Sequence, residues 1–320
     1  MSDQSTSNSK GFDAQRDGSG TLEWADHNEN IQRGCSHNCK YCFAAANAHR
    51  FKTLARVNWH TESLTANAER TKYPKRHGVI MFPSAHDITP GNLDACTRFL
   101  KLMLDAGNQV LIVSKPHTAC IAHLVAELAT YRNQVMFRFT QGTMDAEVAR
   151  FWEPGAPAPE ERLEALRLAH GAGFRTSVSA EPLLGGLDTA RAVLDAVRPF
   201  VTDTVWIGKL NRPRNRVDMK LPQNCLAIEA MEAEQSDANI LALYAALQGD
   251  PLVRWKDSIM HVVNDSGPTV LDCVVNDKRQ GDLLVTILAP NSQAACEGAE
   301  LAAENANVLL LTDIHINSHL

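Results

Sequence analysis

Between residues 29 and 211 short apolar runs alternate with longer amphipathic stretches, and this rhythm restricts the fold more than any single residue does. Runs over 30–34, 78–82, 109–114, 134–140, 175–179 and 204–208 have the length and apolar density of buried strands. Between them the periodicity turns helical. Leu93, Cys96, Leu100, Met103 and Leu104 fall on one face at spacings of three and four, as do Ile121, Leu124, Val125 and Leu128. Further helices are expected over 159–170 and 187–197, the second with Ala190, Val193, Leu194 and Val197 on its inner side. Gly107 and Gly173 stand where helices should end, each just ahead of the next strand. Strands and helices in alternation build βαβ units around a parallel sheet. Six strands are too few for a closed eightfold barrel, so the expected fold is α/β, a partial (β/α)6 TIM-like barrel.

After residue 212 the rhythm changes. Residues 212–222 read as a loop and 224–247 as one or two helices. Apolar runs follow over 270–275 and 283–288, then a helical stretch over 292–305 and a last run over 308–312. The expected organisation is a tail over 1–20, the partial barrel over 21–222, and a C-terminal helical and small α+β extension over 223–320. The tail is rich in Ser, Asp, Asn and Gly and is expected to be mobile. No apolar stretch reaches the length of a membrane span, and the N-terminus lacks a signal-like apolar core, so a cytoplasmic protein without a membrane partner is expected. A formal net charge of −6 argues against a protein that coats long nucleic acid, while leaving room for a local basic pocket.

Of eight cysteines, five (Cys96, Cys120, Cys225, Cys273 and Cys296) are scattered, and Cys35, Cys39 and Cys42 lie within eight residues. A tight group of this kind is read as a metal site before it is read as disulfides. Three thiolates spaced by four and three can wrap one side of an iron–sulfur cluster, which normally takes four; a triplet leaves one iron open to a ligand from outside the protein. The same residues with His37 or His49 would make a Cys3His zinc site in a binding module. An Fe–S electron carrier is a further alternative, and a redox pair at Cys39 and Cys42 would leave Cys35 without a purpose.

Cys-x3-Cys-x2-Cys with aromatic Tyr41 ahead of the last cysteine resembles the cluster motif of the radical S-adenosylmethionine (SAM) superfamily, and the phrase over 32–44 is similar to the branch around spore photoproduct lyase. The resemblance implies a [4Fe–4S] cluster on Cys35, Cys39 and Cys42, with S-adenosyl-L-methionine on the open iron. It implies reductive cleavage of SAM to a 5′-deoxyadenosyl radical that takes a hydrogen atom from a substrate. It also implies an external electron donor such as flavodoxin or ferredoxin, and Tyr41 beside the adenine. Photoproduct lyases use an extra cysteine as a hydrogen donor, and no counterpart is evident in this chain.

Chemistry in parallel barrels gathers at the C-terminal ends of the strands. There the sequence offers Ser84, His86 and Asp87, where the family often has a Gly-Gly-Glu-Pro-like stretch for the SAM amino group; this chain departs from that pattern. Lys115 could meet the SAM carboxylate, Gln141 the ribose, and Glu181 the cavity. Beyond the sixth strand Lys209, Asn211, Arg212, Arg214 and Arg216 form a basic run suited to a phosphate-bearing or nucleic-acid-derived substrate, because guanidinium forks match phosphate oxygens. A solvated loop is the plainer account of that run.

Overall fold

The computed structural model describes residues 11–12, 16, 18–265, 269–277, 281–289 and 309–310. Contacts divide the chain into two compact units, Met1–Ile259 and Met260–Leu320, so the first unit runs well past the division expected at residue 222. Its strands are β1 (His27–Asn28), β2 (Gln32–Arg33), β3 (Ser63–Leu64), β4 (Val79–Phe82), β5 (Gln109–Ser114), β6 (Val135–Thr140), β7 (Arg175–Ala180), β8 (Val205–Ile207) and β9 (Val253–Trp255). The helices are α1 (Phe43–Arg50), α2 (Leu93–Asp105), α3 (Thr118–Glu127), α4 (Ala146–Trp152), α5 (Pro159–Gly171), α6 (Leu187–Val197), α7 (Pro222–Glu234), α8 (Asp237–Leu247) and α9 (Asp257–Asp265), the last reaching beyond Ile259.

Seven strands form one parallel sheet in the order β1-β4-β5-β6-β7-β8-β9, an open α/β arrangement of the partial-barrel kind. Gly107 and Gly173 end helices α2 and α5 with φ of 78° and 77°, as expected of residues that reverse into a strand. Two features differ from the sequence expectation. The run at 30–34 is not the first strand of the sheet. That strand is β1, while Gln32–Arg33 pairs antiparallel with Ser63–Leu64. Asn30 explains the displacement, because its side-chain oxygen accepts from the backbone N–H of Ser84 (2.9 Å) and Ala85 (2.7 Å) and pins the segment across the end of β4. The seventh strand, β9, is three residues long with exposed Arg254 at its centre, so it leaves no apolar run in the sequence.

Alternation along the strands sends two sets of side chains to opposite faces. Ile80, Phe82, Val110, Ile112, Val135, Phe137, Phe139, Val178, Val205 and Ile207 join the core under the helices. Val79, Met81, Leu111, Val113, Met136 and Trp206 face the other way and pack with Phe12, Trp24 and Ala25. Phe12, Trp24 and Ala25 therefore cover part of the inner face of the sheet; Phe12 and Arg16 are buried, while residues 1–10, 13–15 and 17 of the tail expected over 1–20 lie outside the described residues. Phe12 is 2% exposed; full burial of such a ring contributes about 1.5–3 kcal/mol. Arg16 reaches Asp26 (3.0 Å) and the carbonyl of Trp24 (2.9 Å). An apolar inner face on an open sheet must be covered by something, and here two side chains in a polar stretch anchor the cover.

In the second unit β10 (Thr269–Asp277) and β11 (Gly281–Ala289) form an antiparallel hairpin, and β12 (Leu309–Leu310) pairs with β10. These coincide with the apolar runs of the sequence; the helix expected over 292–305 lies outside the described residues. No helix among the described residues is long and apolar enough to cross a membrane.

Candidate active site

The cysteine loop begins at Gly34, whose φ of 77° turns the chain off β2. A Cβ there would stand 2.0 Å from the carbonyl oxygen of Thr61, so the close approach also requires glycine. The Cys35 N–H donates to the carbonyl of Trp59 (2.7 Å), and Asn38 turns again with φ of 47°. Arg56 fixes this second turn by donating to the Asn38 side chain (2.5 Å) and the Cys39 carbonyl (3.0 Å). Cys42 then caps α1, its sulfur accepting from the Ala45 N–H (3.5 Å). The loop is gripped from above by the end of α4: Lys40 N–H donates to the Trp152 carbonyl (2.8 Å), Gly155 N–H to the His37 carbonyl (3.0 Å), and Lys40 lies 3.3 Å over the Phe151 ring.

Cys35 and Cys39 are buried and Cys42 is half-buried. Burial drives all three thiols toward the protonated form, Cys39 up to about 12, and each of the first two is raised further by the next thiol in the loop. The cations Lys115 and Arg56 pull the other way, Lys115 on Cys39 and Cys42 and Arg56 on Cys42. Three thiols, two buried and one half-buried, each within electrostatic range of the next, need a positive centre to become thiolates, and a metal cluster supplies one. The three sulfurs do not close to within 4.8 Å of one another, the spread a single ion would bind; among the described residues Cys35, His37 and Asp87 do. His37 stands with Cys35 and Asp87 rather than with Cys39 and Cys42. Its Nδ1 faces Asp87 Oδ2 (2.9 Å) and its Nε2 faces His117 Nε2 (3.1 Å), while His49 is exposed on the last turn of α1.

Beneath the loop lies a ladder of buried charge. Asp87 accepts from the Lys115 N–H (2.7 Å) and the Ser114 hydroxyl (3.1 Å), and its other oxygen stands 3.8 Å from the Cys35 sulfur. Burial would raise its carboxyl, but Lys115 and His37 outweigh burial and hold it well below the usual range. Glu153 accepts from Tyr41 and pairs with Arg162 (2.5 Å); burial opposes its ionisation too, and Arg162 and Lys115 override it. Lys115 sits between the two carboxylates, 3.9 Å from each, and 5.7 Å from the centre of the Tyr41 ring. At that distance neither oxygen is a hydrogen-bond acceptor for it. A nearly buried ammonium without a close acceptor suits an incoming carboxylate.

The other expected residues separate into two groups. Ser84 is bound to Asn30 (2.8 Å), the neutral-leaning His86 ring receives the Ile31 N–H (3.3 Å), and the Gln141 amide donates to the Thr143 carbonyl (2.8 Å), so their polar atoms hold the fold. Burial depresses the basicity of His86. Arg214 is exposed and doubly bonded to Glu232 (2.9 and 3.1 Å). Arg216 is half-buried; burial lowers its pKa, while Glu181 and Cys42 raise it, which puts it in electrostatic reach of the cysteine loop. Lys209, Asn211 and Arg212 line a cavity of about 500 Å³ with Pro213, Met231 and Asp237. Glu181, at the end of β7, stands 3.5 Å from Lys256, which is fully buried and 2.6 Å from Glu23. Glu23, Glu153, Arg162 and Lys256 were not found by sequence reasoning. Lys256 follows the three-residue strand β9, and the Glu153–Arg162 pair lies in no periodic pattern.

The sequence pattern of the Radical SAM superfamily matches residues 30–198, more than half of the chain. The chain belongs to the radical SAM superfamily. Members of that superfamily work with a [4Fe–4S] cluster and S-adenosylmethionine. An uncharacterized protein, ORF301 of the Acidianus two-tailed virus, is 28% identical over 167 residues, 48% of this chain and 54% of that one, so the chain spans about half the length of this curated relative. Among solved structures, a spore photoproduct lyase variant aligns with a TM-score of 0.45 and 14% identity over 72% of this chain and 76% of that chain. A radical SAM methyltransferase from Sphaerobacter thermophilus aligns with a TM-score of 0.41 and 16% identity, covering 72% and 66%.

Gly34→Ala should lose most of its capacity to hold iron while the sheet still melts cooperatively, because the added methyl group displaces the start of the cysteine loop. Iron content after reconstitution, set beside a thermal melt, checks this; full iron loading in the variant would contradict the loop geometry. Glu181 gives a second expectation. Burial lifts its carboxyl from 4.5 to about 7; Lys256 opposes the rise and Glu23 adds to it. A carboxyl raised on folding holds its proton in the folded state between those values, so its contribution to stability is lost as pH climbs from about 4.5 through about 7. Glu181→Gln should therefore melt with the wild type at pH 5 and above it at pH 8, as read by paired calorimetric scans; an offset independent of pH would show that the carboxyl does not titrate in this interval.

Proposed function

We propose that Cys35, Cys39 and Cys42 hold a [4Fe–4S] cluster with one iron left for S-adenosylmethionine, and that the enzyme acts on an anionic, phosphate-bearing or nucleic-acid-derived substrate at the barrel mouth. The observation that carries this reading is the placement of three thiols, two buried and one half-buried, in a loop fixed by Gly34, Arg56 and Lys40, beside an ammonium with no hydrogen-bond acceptor among the described residues. When bound, the cluster and SAM supply reductive cleavage of the sulfonium and abstraction of a hydrogen atom from the substrate. This chain's residues supply position, charge and exclusion of water. Lys115 would bind the SAM carboxylate, its charge maintained by Asp87 and Glu153. Tyr41, fixed through its hydroxyl on Glu153, would present its ring at the edge of that site.

The substrate side is built from different residues. Arg216, half-buried and within electrostatic range of Glu181 and Cys42, would take an anionic group, and Glu181, held by Lys256, would accept a hydrogen bond from the substrate. Arg212, Lys209 and Asn211 would continue the contact into their cavity, whereas Arg214 is occupied by Glu232. Exposed basic side chains each contribute under about 1 kcal/mol to stability, so their value lies in binding. The electron for cleavage would come from an external donor such as flavodoxin or ferredoxin.

Replacing any one of Cys35, Cys39 or Cys42 with Ala should abolish the cluster's visible absorbance, and with it the slow release of 5′-deoxyadenosine and methionine from SAM by the dithionite-reduced protein. Far-ultraviolet circular dichroism of each variant should stay close to wild type. Chromatography of the products decides the matter: a triple Cys→Ala protein that still cleaved SAM would remove the assignment.

A further inference from the structure

Electrons must reach the cysteine loop from outside, and the structure offers one exposed surface directly over it. From Asn30 to Thr61 the sequence contains no Asp or Glu, in a chain of net charge −6, yet it carries Arg33, Lys40, Arg50, Lys52 and Arg56. Lys40 and Arg56 are turned inward, to Asn224 and Phe151 and to Asn38 and the Cys39 carbonyl. Arg33, Arg50 and Lys52 are exposed and make no ion pair with any described residue. Among them lie four of the seven exposed large apolar side chains of the described residues: Phe43, Phe51 (67% exposed), Val57 (76%) and Leu64.

Helix α1 shows how these are arranged. Ala44, Ala45 and Ala48 pack toward Cys35, Leu54 and Trp59, so the opposite stripe, with Phe43 and Arg50 at i and i+7, faces solvent. Cys42 is the cap of the same helix. The exposed stripe is thus separated from the thiols by about one helix thickness, roughly 10 Å. Apolar centres among unpaired cations suit a protein partner of negative charge, where the apolar side chains supply contact and the charges steer the encounter.

We propose that α1 and the segment 51–60, with Arg33 and Leu64, form the docking face for an acidic one-electron donor protein of the flavodoxin or ferredoxin type. The inference rests on the cluster assignment above, since it is the cluster that calls for an electron. The step is electron transfer alone: the donor's flavin or iron centre is oxidised by one electron, the cluster gains it, and no atom changes hands. A nucleic-acid strand is the less suitable occupant, because the exposed cations are few and interrupted by apolar side chains where a backbone would need successive phosphate contacts.

The test uses the iron-loaded full chain and the variant Arg33→Glu/Arg50→Glu/Lys52→Glu, with ¹⁵N-labelled flavodoxin and ¹⁵N-labelled plant-type ferredoxin as probes. Wild type should perturb the acidic residues of at least one probe, less so as salt is raised, and the variant should bind that probe at least tenfold more weakly with an unchanged melting temperature. Reduction of the cluster by that probe should slow by a similar factor, while dithionite should reduce both proteins equally. No perturbation of either probe by wild type, or equal binding by the variant, overturns the proposal. So does a variant that loses only single-stranded oligonucleotide binding or only self-association. Iron content is measured on the same samples: protein that takes up no iron refutes the cluster assignment, while the nuclear resonance shifts still report whether the face docks the donor.

Discussion

The site depends on a single buried cation. Lys115 emerges from the end of β5 between Asp87 and Glu153, and those two carboxylates tie His37 and Tyr41 of the cysteine loop to the strand ends and to α5. Asp87 gathers His37, Ser114 and the backbone of Lys115; Glu153 gathers Tyr41 and Arg162. Taking any of these charges out of water alone would cost several kcal/mol, so the group is tolerable only as a whole. Removing Lys115 would leave two carboxylates facing each other in a dry site; removing Asp87 would free the loop from the strand ends. The ladder holds the loop in place before any cofactor arrives.

A second group of charges, Glu23, Lys256 and Glu181, sits deeper, where the N-terminal segment meets the inner face of the sheet. Lys256 lies 4.2 Å over the Trp24 ring and donates to the Gly20 carbonyl (2.6 Å), so the segment that covers the sheet also holds the lysine that faces Glu181. Loosening near Gly20–Trp24 would therefore be felt at Glu181 through Lys256.

Much of the fold was legible because parallel strands, buried on both faces, leave apolar runs that no other element explains. Strands β4 to β8 and helices α2, α3, α5 and α6 appear where the periodicity places them. The pattern failed where side chains rather than periodicity decide the path. Asn30 diverts the segment expected to be the first strand, Phe12 and Arg16 are buried within a polar stretch, and Arg254 interrupts the three-residue β9. In the site, the cysteines and Lys115 were legible from spacing and strand position. Glu153 and Arg162 were not, since partners nine residues apart across a turn leave no signal until the chain is folded. The basic run after β8 looked uniform in sequence, yet folding separates Arg214, exposed and spent on Glu232, from Arg216, half-buried and within electrostatic range of Glu181 and Cys42.

The central claim is that three thiols leave one metal position open to SAM. Electron paramagnetic resonance of the anaerobically reduced protein, with and without SAM and beside iron and sulfide analysis, tests it most directly. The account predicts about four irons and four sulfides per chain, and a reduced-cluster signal whose shape shifts when SAM is added. A single colourless zinc per chain, or a four-iron signal indifferent to SAM, would contradict it.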